Sequence, residues 1–262
     1  MTAIRVYLDG VSFWTPGIES WEALCRALDA AGNTLPDTGE VMPDSLSPRA
    51  ARRVSPQIRL AVAMAEKLAP SLSHEAAWVF ASSVGEGETL QVMLEALRRP
   101  DMMIQPIRFQ NAVHNAASGQ WSIAAGIKQP MTSIAAHDET VGAGFLKAGM
   151  QIIREDRPVG LVFFDVPMPE PINAKRPLGV PLGTAFALSP VPGPTTMAVI
   201  DMNLSSAPAT APQSEVSLAL AATGNPIADV LPLIERIVDE TAGEVIVRLH
   251  GGGALRLRVS AP

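Results

Sequence analysis

Residues Thr140 to Arg154 read as a helix made thin by small residues: Gly142, Ala143, Gly144, Ala148 and Gly149 fall within it. Each interior glycine costs a helix about 1 kcal/mol relative to alanine. Such a helix persists where something packs directly against its backbone. It follows Pro130, a short strand over Thr132–Ala136 and the turn His137-Asp138-Glu139. A strand, a tight turn and a thin helix in that order require a layered α/β protein in which helices lie close on a sheet.

The rest of the chain fits that requirement. Ile4–Leu8 reads as a strand, and Ser20 caps a helix through Ala30 with Trp21, Leu24, Cys25 and Leu28 at helical spacing. Residues 31–48 are rich in Pro, Gly, Asp and Ser and read as a loop. Arg49–Leu68 is a helix that restarts at Ser55-Pro56, and Ala76–Ala81 is a buried strand followed by the turn Ser82–Gly87 and a helix over Glu88–Arg98. A small-residue helix lies within Asn111–Gly126. Leu161–Phe164 is a continuous apolar strand, followed by a Pro-rich loop over Pro167–Pro181. Further strands are expected at Ala185–Leu188, Met197–Leu204, Val216–Ala222, Val245–Leu249 and Leu255–Val259, with a helix from Pro226 to near Glu240 and a linker over Ser205–Gln213. Strands and helices alternate through the first part, which predicts a largely parallel sheet covered on both faces.

Composition narrows the function. Of the 262 residues, 47% are apolar, enough for a sizeable core, and 18% are charged, which argues against disorder. The net charge is −6 with no basic block, which argues against nucleic-acid binding. A single cysteine excludes an internal disulfide framework, and the four histidines are too scattered for a zinc site. No metal or cofactor is expected. The N-terminal residues lack the pattern of a signal peptide, and no apolar run is long enough for a membrane span. The expectation is a soluble cytoplasmic protein.

Several residues invite a chemical role. Asp138 and Glu139 stand at a helix N-terminus, where the macrodipole stabilises a carboxylate by about 0.3–1 kcal/mol. Their expected roles are helix capping and a contact at a subunit interface. His137 is placed to pair with them, and His114, ahead of an Ala-rich helix, reads as a cap or interface residue. Cys25 reads as packing. Gly85-Glu86-Gly87 resembles a phosphate loop but lacks its Lys-Ser/Thr ending, so a tight turn is the better reading. Ala81-Ser82-Ser83-Val84-Gly85 approximates a hydrolase nucleophile elbow, with His250 ahead of three glycines. In that motif, however, the glycines come early and the base histidine late, so one histidine would have to serve both.

Four segments carry a family resemblance: Phe109–Gly119, Trp121–Gly126, the strand ending at His137, and Gly142–Ile153. In that order they resemble the β-ketoacyl synthases of the thiolase fold. With Arg52-Arg53-Val54-Ser55-Pro56 and Asp138-Glu139-Thr140, the chain is more similar still to short ketosynthase-like chain length factors of bacterial aryl polyene pathways. The resemblance covers roughly residues 1–200 and rests on the ordered set of segments, no single motif being distinctive. It implies an α/β fold of layered thiolase-like α-β-α-β-α architecture, with a complete N-terminal half over 1–190 and a shortened C-terminal half over 195–262.

Counted from Gly119, the synthase nucleophile falls on Asp138; counted back from Ile152-Ile153, it falls on Glu139. Neither is a cysteine, and beyond residue 137 there is only one histidine, His250. A synthase needs a thiolate to hold an acyl chain as a thioester. The resemblance therefore implies a subunit with no catalytic residues of its own. Its partner would be a catalytic β-ketoacyl synthase in a heterodimer, with an acyl carrier protein reached through the complex, and its task would be to wall the acyl tunnel. Candidate tunnel or interface residues are His114, Asn115, Trp121, Met131, Ile134, His137 and Phe145, with Ala112, Val113 and Met150 beside them. The alternatives are an autonomous acyl-thioester enzyme using Asp138, Glu139 or Ser83, and a homodimeric acyl-binding protein.

Overall fold

The computed structural model describes residues 3–30, 39–101, 103–104 and 106–262. The loop reading over 31–38 lies outside the described residues. One mixed sheet of eight strands has the order β3-β2-β4-β5-β1-β6-β8-β7. The strands are β1 (Ile4–Trp14), β2 (Ala77–Ala81), β3 (Met131–Ile134), β4 (Val159–Asp165), β5 (Leu182–Ser189), β6 (Ala198–Ser205), β7 (Gly243–Leu249) and β8 (Gly253–Ser260). The helices are α1 (Trp21–Asp29), α2 (Pro48–Ala51), α3 (Pro56–Leu68), α4 (Gly87–Leu97), α5 (Pro106–Asn111), α6 (Ala116–Ala125), α7 (Thr140–Glu155), α8 (Glu215–Ala222) and α9 (Leu231–Val238). The architecture is α/β and thiolase-like. Its five N-terminal and three C-terminal strands join edge to edge in one sheet through the antiparallel β1–β6 ladder.

Side-chain alternation splits the core in two. Ala77, Val79 and Ala81 face one apolar cluster, with Phe145, Phe163 and Phe186; Trp78 and Phe80 face the other, with Ile58, Met64 and Trp121. Both faces of β2 are therefore buried, as its unbroken apolar run predicts. The thin helix α7 lies on the first face. A Cβ at Gly144 would come within 2.5 Å of the Phe163 ring, and one at Gly142 would overlap the Arg248 carbonyl oxygen in β7. The glycines let α7 settle onto sheet side chains and onto backbone.

Two expectations are corrected. The sheet is mostly antiparallel: only β2–β3 and β2–β4 are parallel, and the other five ladders run antiparallel. A parallel return needs a crossover of a dozen or more residues, usually helical. Helices fill the β2–β3 and β3–β4 connections, whereas β4 reaches β5 through the Pro-rich loop and β7 reaches β8 through a tight Gly251-Gly252 turn with positive φ at both residues. Val216–Ala222 is helix, not strand. The Ser214 hydroxyl accepts from the Ser217 N–H and caps α8, and burial of Val216, Ser217 and Leu220 follows a helical face, leaving Leu218 exposed. Val216-Ser217-Leu218 mimics strand alternation, and the cap decides otherwise.

Candidate functional site

The three parallel strands β3, β2 and β4 end side by side at Ile134, Ala81 and Asp165. Open α/β sheets place their sites beyond such carboxyl ends. Here the ends carry a connected polar network.

At its centre is Asp165, which is fully buried at the end of an apolar strand. Its Oδ1 accepts from the Ser82 hydroxyl at 2.7 Å and the Ser83 N–H at 3.0 Å; its Oδ2 accepts from the Ser83 hydroxyl at 2.5 Å. The Gln57 amide donates to the Ser82 Oγ at 2.7 Å and lies 3.4 Å from Asp165 Oδ1, while its Oε1 accepts from the Val166 N–H at 3.0 Å. Burial pushes the Asp165 carboxyl above its ordinary range, against the pull of these donors. A buried carboxyl with this many partners locks the Ser82–Gly85 turn, the end of β4 and the start of α3 into one geometry.

Arg176, just past the Pro-rich loop's 3₁₀ turn, extends the network outward. Its Nη1 donates to the Ser83 Oγ at 3.1 Å, and its Nη2 pairs with Asp138 Oδ1. Asp138 Oδ1 also lies 3.4 Å from His137 Nδ1. The Arg176 hydrogen bond holds the Asp138 carboxyl below its ordinary range. On the far side Arg248 of β7 bonds Asp229 at 2.8 Å. Burial, with the nearby Asp138 and Glu139 charges added, pushes the Asp229 carboxyl up, opposed by Arg248.

The sharp turn itself is made by His137, whose φ of 53° is left-handed. That conformation is uncommon for a residue with a side chain and clusters at functional turns. The expected capping role of the two acidic residues is not realised. Glu139 occupies the cap position of α7 without a side-chain cap bond, and Asp138 turns to Arg176. Thr140 closes the turn instead: its Oγ1 accepts from the Ala136 N–H at 3.1 Å and donates to the His137 carbonyl at 2.8 Å. His114 and Asn115 are exposed, and Asn115 stands at the α6 cap position, again without a side-chain cap bond. His114 and Ile134 line a small recess beside Ser82 and Glu86. Met131 sits half-buried opposite Trp78 in the β2–β3 ladder. Trp121 is buried with its ring 5.3 Å from Trp78, and Phe145 is enclosed by Phe163 and Phe186; both are core. Ser83 has Asp165 and Arg176 as side-chain partners and no histidine among the described residues. Gly85-Glu86-Gly87 forms the tight turn expected of it, with Gly85 at φ 66°.

Gln57, Asp165, Arg176 and Asp229 were outside the sequence-based candidates. The one signal for Asp165 is a carboxylate directly after Leu161–Phe164, since a charge appended to a buried strand demands partners.

Replacing Arg176 with alanine is expected to cost about 0.5–1 kcal/mol, a small value because Asp138 is nearly half exposed and its ion pair is screened. The sign with pH is set by the depressed Asp138 value. Its contribution is present above the unfolded carboxylate pKa of about 4 and is lost as pH falls through the folded value. Urea midpoints between neutral pH and about pH 3 should therefore fall more steeply in the parent protein than in Arg176→Ala.

Comparison with known proteins places this geometry. Residues 21–245 match the family model for the β-ketoacyl synthase N-terminal domain. No curated protein sequence matches the chain. Among solved structures, a ketosynthase in complex with its chain length factor from Xenorhabdus doucetiae aligns at TM-score 0.74 and 19% identity over 99% of both chains. A β-ketoacyl synthase from Burkholderia phymatum aligns at TM-score 0.71 and 13% identity over 100% of both chains. A type II polyketide synthase acyl carrier protein in complex with its hexaketide-bound ketosynthase aligns at 0.72 and 10% identity, again over 100% of both.

Proposed function

The chain belongs to the β-ketoacyl synthase family by its N-terminal-domain match, and from that membership we propose that it is a non-catalytic, chain length factor-like partner of a catalytic β-ketoacyl synthase. The complex would carry out decarboxylative condensation of a malonyl thioester with a carrier-bound acyl chain, in biosynthesis of the aryl polyene or fatty acid type. The acyl carrier protein would dock on the complex. This chain would wall part of the acyl tunnel.

The observation that carries the reading is the α7 mouth. Where a nucleophile would stand, at Asp138 or Glu139, the turn offers two carboxylates after a left-handed His137, and Asp138 is engaged by Arg176. A carboxylate held below its ordinary range is a weak base and cannot hold a transferable thioester as a thiolate does. The one cysteine, Cys25, is on α1, in a different part of the chain. Edge position also supports pairing. β3 bonds only to β2 among the described strands, so its outer side is available to a partner strand. His114 and Ile134 are our choice of tunnel-wall or interface residues, since both line the recess at the carboxyl ends of the strands, and we add Asn115, exposed beside His114.

Co-expression with a candidate synthase should give a stable complex of one copy of each by size exclusion and mass measurement. Condensation should require the synthase cysteine, and omitting this chain should abolish the reaction or alter product length. Turnover of acyl thioesters by the purified chain alone, lost on replacing Asp138 and Glu139 with alanine, would establish the autonomous enzyme instead.

A further inference from the structure

A cavity of about 410 Å³ opens where the start of β6, the end of α9 and the end of β8 meet. It shares no residue with the network around Asp165. Met197, Ile237 and Val259 give it an apolar wall. Its size and lining fit a small organic ligand. Two opposite charges also line it, Arg236 on α9 and Glu240 just beyond that helix.

Four positions apart on a continuous helix, an arginine and a glutamate are neighbours and can pair. These two do not. α9 ends at Val238, and Glu240 follows in the left-handed conformation, with φ 52°. Glu235, next to Arg236, is committed to the Gln213 and Ser214 N–H groups. Among the described residues neither Arg236 nor Glu240 has an ion-pair partner. The contacts of the guanidinium place it at the cavity. Its Nη1 donates to the Thr241 Oγ1 at 3.4 Å, and its Cζ, Nε and Nη1 lie 3.1–3.4 Å from where a Cβ on Gly243 would stand. Thr241 lines the cavity, and Gly243 is paired in the ladder with Val259, which lines it too. Arg236 is half-buried, so its head is reachable. A guanidinium is rich in N–H donors, and the Thr241 bond engages one of them.

A carboxylate takes such free donors in the two-pronged geometry that a guanidinium favours. A carboxylate alone would leave Glu240 facing a like charge, and an amine alone would leave Arg236 facing one. A zwitterion with an apolar body suits both charges and the wall. We propose that this cavity binds an apolar α-amino acid, its carboxylate on Arg236, its ammonium toward Glu240 and its side chain against Met197, Ile237 and Val259. Glu240 is exposed and its attraction is screened by water, so Arg236 is the principal anchor. Such binding is independent of any role beside a synthase and is tested on this chain alone.

The test is calorimetric titration of the full chain with four probes. They are L-phenylalanine, hydrocinnamate, which lacks the ammonium, phenethylamine, which lacks the carboxylate, and glycine, which lacks the apolar body. Phenylalanine is expected to bind about tenfold or more tighter than phenethylamine or glycine, and about threefold tighter than hydrocinnamate. Arg236→Gln should reduce the preference for phenylalanine over phenethylamine below about threefold. Arg236→Lys, which keeps the charge without the fork, should keep part of it. Glu240→Gln changes an exposed residue, guards against a folding defect, and should bring hydrocinnamate level with phenylalanine. Equal binding of phenylalanine and phenethylamine, tightest binding of hydrocinnamate or of the amine, phenylalanine affinity unchanged in Arg236→Gln, a hydrocinnamate deficit that survives in Glu240→Gln, or no binding by any probe would each overturn the proposal.

Discussion

Gly142→Leu is expected not to fold, and Gly142→Ala to lose about 2–4 kcal/mol despite the gain in helix propensity of up to about 1 kcal/mol. The physical reason is what faces the residue. A Cβ at Gly142 meets the carbonyl oxygen of Arg248, which is backbone and belongs to the β7 ladder. Backbone cannot rotate aside as a side chain can, so α7 would have to lift from the sheet. Lifting it uncovers Val141, Phe145, Ala148 and Ile152, all buried on that face. The control is Gly119→Ala in α6, where a Cβ meets nothing within 4 Å and φ is ordinary. That change should stabilise by a few tenths to about 1 kcal/mol. Thermal and urea unfolding of the two alanine variants should therefore move in opposite directions.

The second large effect concerns Asp165. Asp165→Ala is expected to cost about 3–5 kcal/mol, because it leaves buried donors without their acceptor and opens a void in a packed region. The stranded groups are the Ser82 and Ser83 hydroxyls and the Ser83 N–H, with Gln57 loosened as well. Ser83→Ala removes one donor and should cost only about 1 kcal/mol. The comparison matters more than either number. Similar losses for both variants, read from urea midpoints at neutral pH, would mean that the network is not organised around the carboxylate.

Much of the fold was legible because its signals are local. The apolar run Leu161–Phe164, the Ser55-Pro56 restart of a helix and the glycines of α7 each state their own structure, and all three appear where expected. Strand direction was not legible. It depends on whether a connection contains a crossover helix, and the Pro-rich loop between β4 and β5 contains none. The helix α8 was missed because alternate apolar residues in a short segment fit two periods, and only the cap at Ser214 separates them. At the site, the His137–Thr140 turn could be located from sequence, since a strand, a turn and a helix follow one another there. Its wiring could not. Arg176 reaches Asp138 across 38 positions and Ser83 across 93, and no local pattern predicts which of several arginines will do so.

The place of β1 in the sheet bears on how the molecule comes into being. The first strand of the chain lies between β5 and β6, with Tyr7 opposite Ser189 and Ile4 opposite Met202. Its two neighbours are thus not yet made for most of the time that a ribosome is extending the chain. Ladders between such distant segments close slowly, because loop entropy is spent before any contact is gained. Until β5 and β6 emerge, β1 waits with both edges open, a stretch of unpaired backbone exposed to wrong pairings.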